Sequence, residues 1–107
     1  MPKFATESKY LKWQELDGND WVVTIDHVTQ EVLEKDGKKD KKWVVYFKEL
    51  EKGLALNATN GKTISKVVGT DEMNDWPGHK ITLHVKDDIE YQGDLVSGIR
   101  VRPKKPL

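Results

Sequence analysis

The chain contains no cysteine, only four prolines in 107 residues, and no net charge of either sign. The missing cysteine removes disulfides, thiolate metal sites and cysteine nucleophiles together. No segment approaches the apolar length of a membrane-spanning helix, and the opening Met1-Pro2-Lys3-Phe4 has no apolar run of signal-peptide length. The expected setting is the cytoplasm, without a membrane partner. Lys+Arg and Asp+Glu are both 18, so the formal charge is zero. A neutral chain does not attract polyanions over long range, and any nucleic-acid contact must come from a local patch.

Hydrophobic residues make up 36% and charged residues 34% of the chain, which implies a compact core under a heavily charged surface. The length suits one domain with one core. No internal repeat or low-complexity segment interrupts it. Two strand candidates lie in the first half. Trp21 to Leu33 is rich in β-branched residues, with Trp21, Val23 and Ile25 on one face and Val28 and Val32 on the other. That change of phase predicts a bulge or bend near Asp26-His27. Glu34 to Lys41 reads as a charged hairpin loop. Lys42 to Lys48 reads as the second strand, apolar on both faces: Val44 and Tyr46 on one, Trp43, Val45 and Phe47 on the other. Such a strand needs cover from another segment or else displays its rings.

Leu54-Ala55-Leu56 reads as a short third strand and Asn57 as a helix N-cap. Thr63 to Val68 carries apolar residues at helical spacing, and Gly69 stops the helix. Lys80 to Val85 alternates again, with Ile81, Leu83 and Val85 inward, followed by a hairpin whose Gln92-Gly93 pair suits positive φ. The last strand buries Ile99 and Val101 and turns Arg100 and Arg102 outward. Five strands with one helix between the third and fourth is the chain order of an oligonucleotide-binding (OB) fold, an all-β, five-stranded Greek-key barrel. The predicted organisation is a clasp over residues 1–18, the OB-like domain over 19–103 and a tail over 104–107. Tyr10, Trp13 and Leu16 supply the apolar side of the clasp.

No catalytic set emerges. His27, His79 and His84 are scattered, without the spacing of a helical metal pair, and Asp71-Glu72 and Asp87-Asp88 lie in turns. Asn60-Gly61-Lys62-Thr63 lacks the first glycine of a phosphate-binding loop and reads as a capped helix start. The expectation is a protein that is not an enzyme and uses no cofactor or metal. Binding signals are better. Lysines 35, 38, 39, 41, 42 and 48 interleave with Trp43, Tyr46 and Phe47, the mixture that holds single strands: cations follow phosphates and bases stack on rings. Arg100, Arg102, Lys104 and Lys105 form a second basic cluster. The candidate nucleic-acid-binding residues are Lys41, Lys42, Trp43, Phe47, Lys48, Arg100 and Arg102, with Trp43 and Phe47 outward and Tyr46 inside beside Val44. Trp13, Trp21 and Trp76 are assigned mostly to packing.

Tyr10-Leu11-Lys12, Leu56 to Ile64, Asp75 to Leu83 and Ile99-Arg100-Val101-Arg102-Pro103 together resemble a family of small bacteriophage and prophage proteins encoded among recombination and replication genes. The resemblance spans roughly residues 10–103 and implies an OB-like fold and single-stranded DNA binding in phage recombination or replication. It establishes no set of functional residues. The alternative is a protein-interaction module that docks on a recombinase, nuclease or host defence protein. In that case the doubly apolar strand Trp43–Phe47 is the interface, and it could pair two copies across an edge as a homodimer.

Overall fold

The computed structural model describes residues 10–35 and 37–106. The first nine residues of the expected clasp, and Asp36 of the expected loop, therefore lie outside the described residues. Five strands follow in chain order: β1 (Trp21–Lys35), β2 (Lys38–Phe47), β3 (Leu54–Ala55), β4 (Lys80–Tyr91) and β5 (Asp94–Val101). One helix, α1 (Ala58–Val68), stands between β3 and β4. The strands form one antiparallel sheet in the order β3-β2-β1-β4-β5.

β1 serves both halves of this sheet. Its first residues, Trp21 to Thr24, pair with β4, and from Ile25 onward it pairs with β2. The register shifts between Ile25 and His27, where the apolar residues change parity, so the bulge expected from the sequence is present. Asn57 accepts a hydrogen bond from the Asn60 amide at 2.8 Å, and Gly69 closes the helix in the left-handed conformation with φ 96°. Asn60, Ile64 and Val67 form the buried stripe of α1. This stripe packs into one core with Val23 and Ile25 of β1, Val45 and Phe47 of β2, Ile81 and Leu83 of β4, and Ile99 and Val101 of β5. Trp76 joins that core and donates its indole N–H to the Thr70 carbonyl at 2.9 Å. Leu16, at the end of a short 3-10 turn, is fully buried in it too.

The sheet departs from the expected closed barrel. Among the described residues no ladder joins β3 to β5, and the sheet stays open. β3 is only two residues long, too short to offer a continuous edge on its far side. The start of α1 bridges the seam at one point: Asn60 Nδ2 donates to the Ile99 carbonyl of β5 at 3.0 Å.

The hairpins differ as well. The supposed loop from Glu34 to Lys41 is largely strand, because the β1–β2 ladder continues to the pair Lys35–Lys38. Gly37, with φ 75°, lies in the tight turn, and a turn this short lets charged residues stay paired. On the other side β4 runs on past Val85 to Tyr91 through an irregularity between Lys86 and Ile89, and Gln92-Gly93 makes the turn with φ of 50° and 85°. Two long arms result, and the molecule measures 43 × 29 × 26 Å.

The end of β2, Val44 to Phe47, is covered on both faces. Val45 and Phe47 enter the core, whereas Val44 is fully buried outside it, beneath Gly53. Tyr46, expected inside the barrel, stands on this second face. Its hydroxyl donates to Glu31 at 2.5 Å, and its ring stacks on His27 with centroids 4.9 Å apart. Tyr10 donates to the other Glu31 oxygen at 2.6 Å, and Leu11 N–H bonds the Gly53 carbonyl at 2.8 Å, so the described end of the N-terminal segment covers this face. Among the described residues no helix is long and apolar enough to cross a membrane.

Candidate nucleic-acid interface

Lys41, Lys42 and Trp43 lie at the middle of β2, beside the chain that leaves β3. The Leu56 amide bonds the Trp43 carbonyl at 2.8 Å, which extends the pairing one residue beyond β3 and carries the chain directly into α1. The strand and the helix start thereby become two walls of one cleft, of about 450 Å³. Ala58, Gly61, Lys62 and Ser65 form the helical wall. They fall on one face of α1, opposite the buried Asn60–Ile64–Val67 stripe, and all but Lys62 are small. Asp71, Met73 and the buried Trp76 complete the cleft from the connection to β4.

Trp43 is 42% exposed and supplies the accessible ring of the cleft. Lys41, Lys42 and Lys62 belong to its lining, and of the two β2 lysines Lys41 shares the face of Trp43, whereas alternation turns the Lys42 side chain to the opposite face, with Asp40. Lys42 makes one loose ion pair, 3.9 Å from Asp40, with both side chains largely in solvent. The amides of the first turn of α1 add partial positive charge on the same side. Asp71 is the one carboxylate of the lining, and no described cation lies within ion-pairing distance of it. The Ser65 hydroxyl is engaged, donating to the Gly61 carbonyl at 2.9 Å.

The structure thus unites three of the seven residues expected from the sequence and separates the others. Phe47, expected outward, is 3% exposed, because the bulge in β1 and the packing of Leu54 turn that face of β2 into the core. Lys48 is exposed but follows the end of β2, about 17 Å of strand from Trp43. Arg102 is held by Asp20 through two hydrogen bonds of 3.0 and 3.1 Å. That pair pushes the Asp20 carboxyl below its usual range and the guanidinium above its own, so the Arg102 charge is already compensated. Arg100 is half-buried in the seam between β3 and β5, with Nη1 donating to the Ile99 carbonyl at 3.2 Å.

Lys62, Met73 and Asp71 escaped the sequence reading. A usable signal existed for Lys62: Ala58, Gly61, Lys62 and Ser65 recur at helical spacing as a small-residue face with one cation. Met73 and Asp71 offered none, since only the return of the chain across the helix brings them to β2.

Fold and cleft together define a small antiparallel-sheet protein with one helix and a lysine-rimmed cleft around a single accessible tryptophan. Compared with protein-family models, curated proteins and solved structures, the chain finds no match in any of the three.

Proposed function

We propose that this protein binds single-stranded nucleic acid, in support of phage DNA recombination or replication, on a sheet that is an OB-type barrel with one seam left open. The observation that carries the reading is the cleft in which Trp43 stands exposed with Lys41 and Lys62 in the same lining. A base stacks on the indole while the ammonium groups follow the phosphates. The strand order β3-β2-β1-β4-β5, with α1 between β3 and β4, supports the OB-type reading, and the resemblance to phage and prophage proteins supports the biological setting. Phe47, Lys48 and Arg102 take no part in this site.

The protein-interaction reading rested on the doubly apolar strand Trp43–Phe47. The buried residues Val44, Val45 and Phe47 of that strand offer no apolar surface to a partner, so the reading now leans on the neutral total charge and the acidic loops, which favoured it from the start.

The test is a titration of fluorescently labelled oligo-dT and of duplex DNA at about 50 and 200 mM salt. Single strands bind preferentially. Two phosphate contacts, from Lys41 and Lys62, give a log–log salt slope of about −1.4 at roughly −0.7 per contact. Trp43→Ala weakens binding by about 1–3 kcal/mol. Affinity for oligo-dT that ignores salt, or no binding at low salt, overturns the proposal.

A further inference from the structure

The open seam between β3 and β5 is itself a cleft, of about 410 Å³. Lys12, Trp13 and Arg100 line it, together with Asn57 and Asn60. Asn57 also lines the Trp43 cleft, so the two clefts meet at the helix N-cap. Of the four tryptophans, Trp21 is half-buried and Trp76 is sealed in the core. The two exposed ones, Trp43 at 42% and Trp13 at 38%, each stand in one of these clefts, and each has cations beside it. Leu16 anchors the turn that carries Trp13 in the core, so the chain fixes that ring at the seam without burying it.

From this arrangement we infer that Trp13 is a second base-stacking platform and that a bound single strand runs from the Trp43 cleft over Asn57 into the seam. The inference rests on the single-strand reading of the Trp43 cleft and extends it to a particular path. Arg100 supplies a phosphate contact there: no described carboxylate pairs with it, and its guanidinium is fixed by the Ile99 carbonyl. Lys12 supplies another. The seam also holds an unmet acceptor. Asn60 is 2% exposed, its Nδ2 is committed to Ile99, and its Oδ1 has no hydrogen-bond partner. A buried acceptor left unpaired is costly, and opening of the seam around a bound base would let an amino group on the base edge reach it.

The experiment compares oligo-dC of about four and about twelve nucleotides, lengths within the span of single-strand sites on small barrels. The wild type is set beside Trp13→Ala, Trp13→Phe, Arg100→Gln and Trp43→Ala, each checked for an unchanged circular dichroism spectrum. Trp13→Ala should weaken the longer strand about tenfold and leave the shorter one unchanged, and Trp13→Phe should restore most of the loss. Arg100→Gln should reduce the salt slope by about 0.7 for the longer strand alone. The path is wrong if Trp13→Ala binds the longer strand as the wild type does while Trp43→Ala weakens both. It is equally wrong if Trp13→Ala weakens both lengths alike. If the wild type binds neither length, the single-strand reading falls, and the path with it.

Discussion

Trp43 and Phe47 lie on the same strand and the same nominal face, four residues apart, yet one is accessible and the other is core. What separates them is cover: Phe47 meets Leu54, Ile25 and their neighbours in the core, while Trp43 lies where β2 passes α1 at a distance and leaves a cleft. Gly53 controls the opposite face. A Cβ built there would sit 2.7 Å from Val44 Cγ1 and 2.9 Å from the Tyr46 ring, so Gly53→Ala must displace both. The expected loss is about 1–3 kcal/mol of stability, read from urea denaturation monitored by fluorescence. Asp71 lines the cleft that Lys41 and Lys62 also line and has no ion-pair partner among the described residues. Asp71→Asn removes its repulsion of phosphate and should tighten oligo-dT binding up to about fivefold, the scale of roughly 1 kcal/mol for one close charge pair in water. Unchanged or weaker binding in the same titration would place the strand elsewhere.

Among the elements, α1 has the most local definition. Asn57→Ala removes its side-chain cap and should cost about 1 kcal/mol of stability in denaturant titration. The turns around the sheet depend instead on carboxylates. Lys52 donates to Glu15 at 2.7 Å, which holds that carboxyl below its usual 4.5. Thr24 donates to Glu49 through both its amide and its hydroxyl at 2.7 Å, and the amide bond is the main cause that lowers this carboxyl as well. In both cases the unfolded chain binds protons more readily than the folded one. Their contribution is therefore complete above about pH 4.5 and is lost as the pH falls through the lower folded values. Urea midpoints should decline on acidification below that point, and the decline should be shallower in Glu49→Gln.

For the whole molecule, the balance of 18 cations and 18 anions limits how it meets a polyanion. Local lysines set the affinity, but no long-range field gathers the ligand. Stopped-flow association should therefore fall at about 10⁵–10⁷ M⁻¹s⁻¹, below the range reached with electrostatic steering. A rate near 10⁹ M⁻¹s⁻¹ at low salt would contradict this. The shape predicts uneven stability. The β1–β2 arm beyond Gln30 and the β4–β5 arm beyond Lys86 extend past the core cluster, and Val32 and Leu95 are exposed on them. Their amides should exchange with solvent faster than those of Val23, Ile25, Ile81 and Leu83, as hydrogen exchange can show residue by residue.

The sequence by itself determined the features that depend on neighbours in the chain. Asn57 and Gly69 bound the helix, the parity change from Ile25 to Val28 placed the bulge, Gln92-Gly93 turned the last hairpin, and alternation marked Ile81, Leu83, Ile99 and Val101 as inward. Each follows from backbone preference or from a period of two or 3.6 residues. Tertiary structure alone decided whether the sheet closes, because closure depends on what lies beside a two-residue strand. It also decided that Arg102 finds Asp20, 82 positions away, and that Lys62 of α1 lines one cleft with Lys41 and Trp43 of β2. Periodicity assigns a side chain to a face, but the face becomes core or surface only when another segment arrives to cover it.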